Sequence, residues 1–114
     1  MSIKVGVDLV YIPKFKKTVE RSGDTFLKRV FHPSELTNRD NPHLAGIFAA
    51  KEAIIKTSII PLGGWKKIEI GYGKSGRPKV GIPNEEIASK IEQLDVSISH
   101  DGEYAIAFVT VVLK

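Results

Sequence analysis

Apolar and polar positions alternate at the start of the chain. Ile3, Val5, Val7 and Leu9 fall on one side of a period of two, which predicts a β-strand over residues 3–12. Asp8 lies on the opposite face of that strand. Pro13 suits the first turn of a helix, predicted over about residues 13–22 and broken by Ser22-Gly23-Asp24. Phe26, Leu27, Val30 and Phe31 have helical spacing and predict a second short helix, with a further helical turn at Pro33-Ser34-Glu35. The clearest helix runs from Pro42 to Ser58, where Leu44, Phe48, Ile55 and neighbouring alanines form an apolar stripe. Pro61 and Gly63-Gly64 end it. Residues 66–71 and 78–82 read as two strands around a glycine-rich turn, and Pro83-Asn84-Glu85-Glu86 starts a helix of two or three turns. Val96–His100 and Tyr104–Leu113 predict a terminal hairpin closed by Asp101-Gly102. With no repeat or linker, these elements predict a single α+β domain over residues 1–114, an antiparallel sheet with the long helix packed on it.

Composition narrows the chemistry. The chain has 114 residues and no cysteine, so thiolate metal sites, disulfides and a cysteine nucleophile are excluded. The longest apolar run, Val5–Ile12, is short and carries Asp8, which argues against a membrane span and points to a soluble cytoplasmic protein. The net charge of +4 is local. Lys14, Lys16, Lys17, Arg21, Lys28 and Arg29 outnumber Glu20 and Asp24, while the rest of the chain is balanced. Such a segment is either a solvated helix face or a docking patch for an acidic partner. It lacks the aromatic interleaving of a nucleic-acid surface.

Several residues could carry chemistry. A carboxylate within an apolar strand is costly unless it is solvated, caps a helix or is offset by a partner such as a metal, so Asp8 is a candidate ligand. Glu52 and Lys56 are four apart on one helix face. They form either an ordinary surface pair or, with Asp8, a site in which two carboxylates hold Mg2+ and Lys56 neutralises phosphate. In Ser97-Ile98-Ser99-His100, adjacent Ser99 and His100 point to opposite faces of a strand, so a serine-hydrolase arrangement fails. His100 either orients a phosphate or is a hairpin histidine without a role, and His32 and His43 carry no useful spacing. Gly71-Tyr72-Gly73-Lys74-Ser75-Gly76 matches a dinucleotide motif, but a strand rather than a helix follows it, so it reads as a hairpin loop.

Gly6-Val7-Asp8, Phe48-Ala49-Ala50-Lys51-Glu52-Ala53-Ile54-Ile55-Lys56, Gly76-Arg77-Pro78 and Ser97-Ile98-Ser99-His100, taken in this order, resemble the holo-[acyl-carrier-protein] synthases. These are small bacterial 4′-phosphopantetheinyl transferases, and the resemblance spans residues 3–112. It implies transfer of 4′-phosphopantetheine from coenzyme A to a serine of apo acyl carrier protein, dependence on Mg2+, and a homotrimer with sites between subunits. On that resemblance Asp8 and Glu52 match the metal ligands, and Asp8, Glu52 and Lys56 form the catalytic group. Lys56 and His100 match residues near the coenzyme A phosphates, and Pro78 lies in the loop that approaches the nucleotide. Lys14, Lys17, Arg21 and Lys28 belong to the face that docks the acidic carrier. Three positions depart from the family pattern: Lys14 stands for a usual Arg, Thr57 for a common Ala, and Ile47 for an Arg that often contacts coenzyme A phosphates. The last leaves Lys51 or another cation to substitute in binding coenzyme A. The residues alone leave open another Mg2+-dependent phosphoesterase or nuclease, and a basic nucleic-acid-binding module.

Overall fold

The structure, a computed structural model, describes all 114 residues. Strand β1 (Ser2–Tyr11) runs directly into helix α1 (Ile12–Ser22), and Gly23 at φ 54° turns the chain into α2 (Asp24–Val30). A 3-10 turn at Pro33–Leu36 leads to the long helix α3 (Asn41–Lys56). A second 3-10 turn at Trp65–Lys67 precedes the hairpin β2 (Glu69–Tyr72) and β3 (Pro78–Gly81). The one-turn helix α4 (Glu85–Ala88) then leads into β4 (Ile91–Asp101) and β5 (Tyr104–Leu113). The order β1-β5-β4 makes a three-stranded antiparallel sheet. The α+β architecture with a long helix on an antiparallel sheet is therefore the one the sequence predicts.

Two boundaries differ from expectation. The segment from Pro83 makes a single helical turn, capped by Asn84 Oδ1 accepting from the Ile87 N–H at 3.0 Å. Strand pairing overrides further helix, because Ile91 already pairs with Leu113 and β4 begins five residues before Val96. The strand expected from Lys66 starts at Glu69, since Trp65–Lys67 are held in the 3-10 turn. The glycine-rich sequence is a hairpin loop, closed by the Gly73 N–H donating to Arg77 O at 2.9 Å.

Helix α3 lies across the sheet. Leu44, Ala45, Ile47, Ala49, Ala50, Ala53 and Ile54 are buried against Ala105, Ala107, Val109 and Val111 of β5 and their neighbours. Alanines on both elements let the backbones approach, and the closest approach is at Gly6 of β1. A Cβ there would stand 2.0 Å from the Ala53 carbonyl oxygen. Phe15, Phe26, Phe31 and Phe48 pack with ring centroids 5.6–6.5 Å apart and join α1 and α2 to α3.

The apolar stripe of β1 is not in this core. Gly6, Asp8 and Val10 face α3, while Ile3, Val5, Val7, Leu9 and Tyr11 point the other way, beside Tyr104, Ile106 and Phe108 of β5. These eight residues are 41–66% exposed and form one continuous apolar sheet face.

Candidate active site

Asp8 comes from β1, and Glu52 and Lys56 from successive turns of α3, with the Gly6–Ala53 contact clamping the two elements together. Lys56 Nζ donates to Asp8 Oδ1 at 3.1 Å and to the Val7 carbonyl at 2.9 Å. Of the two arrangements open for Lys56, it therefore pairs with Asp8 on the strand and not with Glu52 along the helix. The Asp8 side chain is only 18% exposed, whereas that of Lys56 is 56% exposed. The Glu52 carboxyl is pushed above its usual range, first by burial and then by the nearby Asp8 charge. The Trp65 N–H and Lys56 partly oppose this. A part-buried carboxyl whose ionisation is opposed by a neighbouring carboxylate is a place where a cation is favoured.

Asp8 and Glu52 open onto a pocket of about 280 Å³ lined by Lys14, Phe15, Thr18, Phe26 and Phe48. Lys14 brings the basic helix α1 to the wall of this pocket, Lys17 and Arg21 are exposed further along α1, and Lys28 is exposed on α2 beside a different cavity. No group of three or more His, Asp or Glu side chains converges anywhere. Two carboxylates beside an open pocket suit a hard cation that keeps water and takes substrate oxygens, as Mg2+ commonly does.

Lys51 is placed elsewhere, and its expected role in ligand binding is corrected. Its side chain is fully buried, one residue round α3 from Glu52. Its ammonium donates to Glu35 Oε1 at 2.7 Å, Val30 O at 2.7 Å and Trp65 O at 3.2 Å. All three protons of the ammonium are engaged, so none is left for a phosphate. Burial lowers the Lys51 pKa, against the opposing pull of Glu35. Glu35 also accepts from the His32 and Ile70 N–H groups at 2.7 Å each, so the pair ties α2, α3, the two 3-10 turns and β2 into one unit. Ile47 is 1% exposed and belongs to the core.

His100 and Pro78 also lie apart from the carboxylates. His100 Nε2 is 2.9 Å from the Pro42 carbonyl, at the opposite end of α3 from Lys56. Pro42 and Glu52 are ten residues apart, about 15 Å along the helix. Pro78 pairs with Tyr72, whose ring packs on His43 in the first turn of α3 at 5.5 Å. One chain therefore holds two separate groups, Asp8–Glu52–Lys56 and His100–Pro78, at the two ends of one helix.

Residues 4–109 match the 4′-phosphopantetheinyl transferase superfamily. The chain belongs to that superfamily. This transferase is 38% identical over 113 residues to the holo-[acyl-carrier-protein] synthase of Thermodesulfovibrio yellowstonii, covering 94% of its own length and 96% of the relative. It is 40% identical over 111 residues to the synthase of Dehalococcoides mccartyi, covering 91% and 93%. Among solved structures, the Helicobacter pylori holo-[acyl-carrier-protein] synthase in complex with coenzyme A superimposes with a TM-score of 0.84, at 33% identity over 95% of this chain and 99% of that one. A coenzyme A complex of the enzyme from Chronobacterium ammoniagenes gives 0.83 at 35% identity, over 100% and 99%. The transferase is an enzyme of the holo-[acyl-carrier-protein] synthase type. No helix in it is long and apolar enough to cross a membrane.

Sequence reasoning treated Lys14 only as a docking residue, whereas it also lines the carboxylate pocket. It missed Phe48 as a pocket wall, although Phe48 lies four residues before Glu52 and so on the same helix face. Nothing in the local sequence marks the approach of Trp65 to Glu52.

Proposed function

We propose that this transferase moves 4′-phosphopantetheine from coenzyme A to a serine of apo acyl carrier protein, with release of adenosine 3′,5′-bisphosphate. The observation that carries the site assignment is the convergence of Asp8 and Glu52 on a pocket that Lys14 of the basic helix α1 also lines, with Lys56 held on Asp8. Phosphoryl-type transfer requires mainly positioning and charge stabilisation, and these residues supply both. Asp8 and Glu52 would hold Mg2+, which when bound offsets pyrophosphate charge. Lys56, exposed and tethered by Val7 O and Asp8, offsets charge on the leaving phosphate. The serine proton passes either to Glu52 or to an ordered water at the site. Lys14, Lys17, Arg21 and Lys28 dock the acidic carrier, and His100 and Pro78 contact coenzyme A.

The active enzyme is a cytoplasmic homotrimer with sites between subunits. Two features support this: the apolar outer sheet face, and the separation of His100 and Pro78 from the carboxylates within one chain. A partner protomer can bring the second group to the first.

Incubation with Mg2+, coenzyme A and apo acyl carrier protein, followed by mass spectrometry of the carrier, tests the reaction. A gain of one phosphopantetheine, lost with EDTA and in Asp8→Ala and Glu52→Ala, is expected. Mg2+-dependent activity retained in both variants would overturn the site assignment. Sedimentation equilibrium tests the trimer, and a monomer at working concentration would refute it.

A further inference from the structure

Trp65 is the chain's one tryptophan, and neither the carboxylate chemistry nor the aromatic core accounts for its indole nitrogen. Nε1 is buried without a hydrogen-bond partner, the one side-chain atom in the protein in that state. A buried donor left unmade is destabilising, so its retention calls for a partner that the resting chain does not engage.

The position of Trp65 is fixed from two directions. Its carbonyl accepts from the buried Lys51 ammonium at 3.2 Å. Its ring packs against Phe48, with centroids 6.3 Å apart and planes inclined by 34°. Phe48 lies one turn before Glu52, so the indole covers the face of α3 from which Glu52 projects. The indole N–H is directed at the Glu52 carboxylate closely enough to favour its ionised form as a donor would, while its distance and angle fall outside those of a formed hydrogen bond.

We propose that Trp65 is a positioning residue for Glu52: a small rotation of the Glu52 side chain sets one carboxylate oxygen on the indole N–H and turns the other toward Asp8. This rests on the reading of Asp8 and Glu52 as the pair that holds the cation. A hydrogen bond to the outer oxygen of a ligating carboxylate fixes its orientation and tunes its affinity. The Lys51–Glu35 pair thereby gains a link to the site, because it anchors the Trp65 backbone that presents the indole.

The test uses the full-length protein and Trp65→Phe, which keeps an aromatic ring against Phe48 but removes the donor. The expected result is a thermal midpoint without metal that is unchanged or slightly higher, and an Mg2+ concentration for half-maximal activity raised about tenfold. The rate at saturating Mg2+ changes little. As a readout independent of turnover, Mg2+ added alone to the wild type shifts the emission of its sole tryptophan, and Glu52→Ala abolishes the shift. A folded Trp65→Phe with wild-type Mg2+ dependence would overturn the proposal. So would wild-type emission indifferent to Mg2+, a measurement that stands even where Trp65→Phe does not fold. Activity that survives Asp8→Ala or EDTA marks failure of the cation-pair reading instead. Activity that needs Mg2+ and Asp8 but ignores Trp65→Phe removes the role of Trp65 alone.

Discussion

Replacing Gly6 by alanine perturbs the contact on which the site is built. The added methyl group would lie 2.0 Å from the Ala53 carbonyl oxygen, 2.9 Å from its carbonyl carbon and 3.1 Å from a Val109 methyl. The closest obstacle is backbone of α3, which cannot swing aside as a side chain could. Side-chain carbons do not stand within 3.0 Å of such neighbours, so β1 and α3 must separate by at least about 1 Å. Overpacking of this kind costs about 1–3 kcal/mol. For a domain of this size each kcal/mol lowers the thermal midpoint by about 4 °C. Asp8 is two residues from Gly6, and Glu52 adjoins Ala53, so the displacement passes straight to the carboxylate pair. Misplacing catalytic groups by 1 Å costs on the order of 100-fold in rate. The assay combines a thermal melt with initial rates of carrier modification, normalised to the folded fraction at saturating Mg2+ and coenzyme A. Loss of both stability and rate is expected. A folded variant with the wild-type rate would show that the strand–helix spacing does not set the carboxylate geometry, and an unchanged melt would show that the contact has slack.

Further outcomes follow from other parts of the structure. Lys51→Met should cost about 3–5 kcal/mol in urea unfolding, because it leaves the Glu35 carboxylate buried without its cation. Adding Glu35→Leu should restore only part of this, since the His32 and Ile70 N–H groups then lose their acceptor. The Glu52 carboxyl pKa is raised in the fold, so its contribution to stability is fully present below its unfolded value near 4.5 and is lost as pH rises through the higher folded value. Glu52→Gln should therefore melt higher than wild type at neutral pH without metal, an advantage that vanishes in melts below about pH 4.5. Ser58 is the one non-glycine residue at positive φ, 70°, just past the end of α3, and Ser58→Gly should stabilise by about 0.5–1 kcal/mol in the same unfolding assay. Charge reversal at Lys17 or Arg21 should raise the carrier's KM and weaken its salt dependence while leaving coenzyme A binding nearly unchanged, and steady-state kinetics at two ionic strengths would show it.

Asp8 stood out in the sequence because a carboxylate inside an apolar strand needs a physical reason, and Glu52 with Lys56 because helical spacing places them on one face. Those signals are local, and the structure brings all three residues together. Lys51 was misread for a related reason. Beside Glu52 it resembles another site cation, but one residue along a helix is a rotation of about 100°, which turns it into the core. Its partner Glu35 lies sixteen residues upstream in a 3-10 turn, and no periodicity connects them. The length of the helix from Pro83 was overestimated because a capping asparagine and two glutamates describe only its start. Its end is decided by the pairing of Ile91 with Leu113 near the end of the neighbouring strand β5, more than twenty residues on. Alternation along β1 revealed an apolar face but carried no information about what that face meets, which depends on where α3 settles.

The outward face of the sheet also makes this enzyme's behaviour depend on dilution. Folding of one chain is first order, whereas covering an exposed face with further copies depends on a higher power of chain concentration. With the proposed assembly, the melting temperature rises with protein concentration. Specific activity, usually constant for an enzyme, then falls as the stock is diluted, and newly made chains remain uncovered longest where copies are few. Polar replacements at Val7 or Phe108 would be nearly silent in concentrated enzyme and severe in dilute enzyme, although neither residue lies on the face that carries the carboxylates.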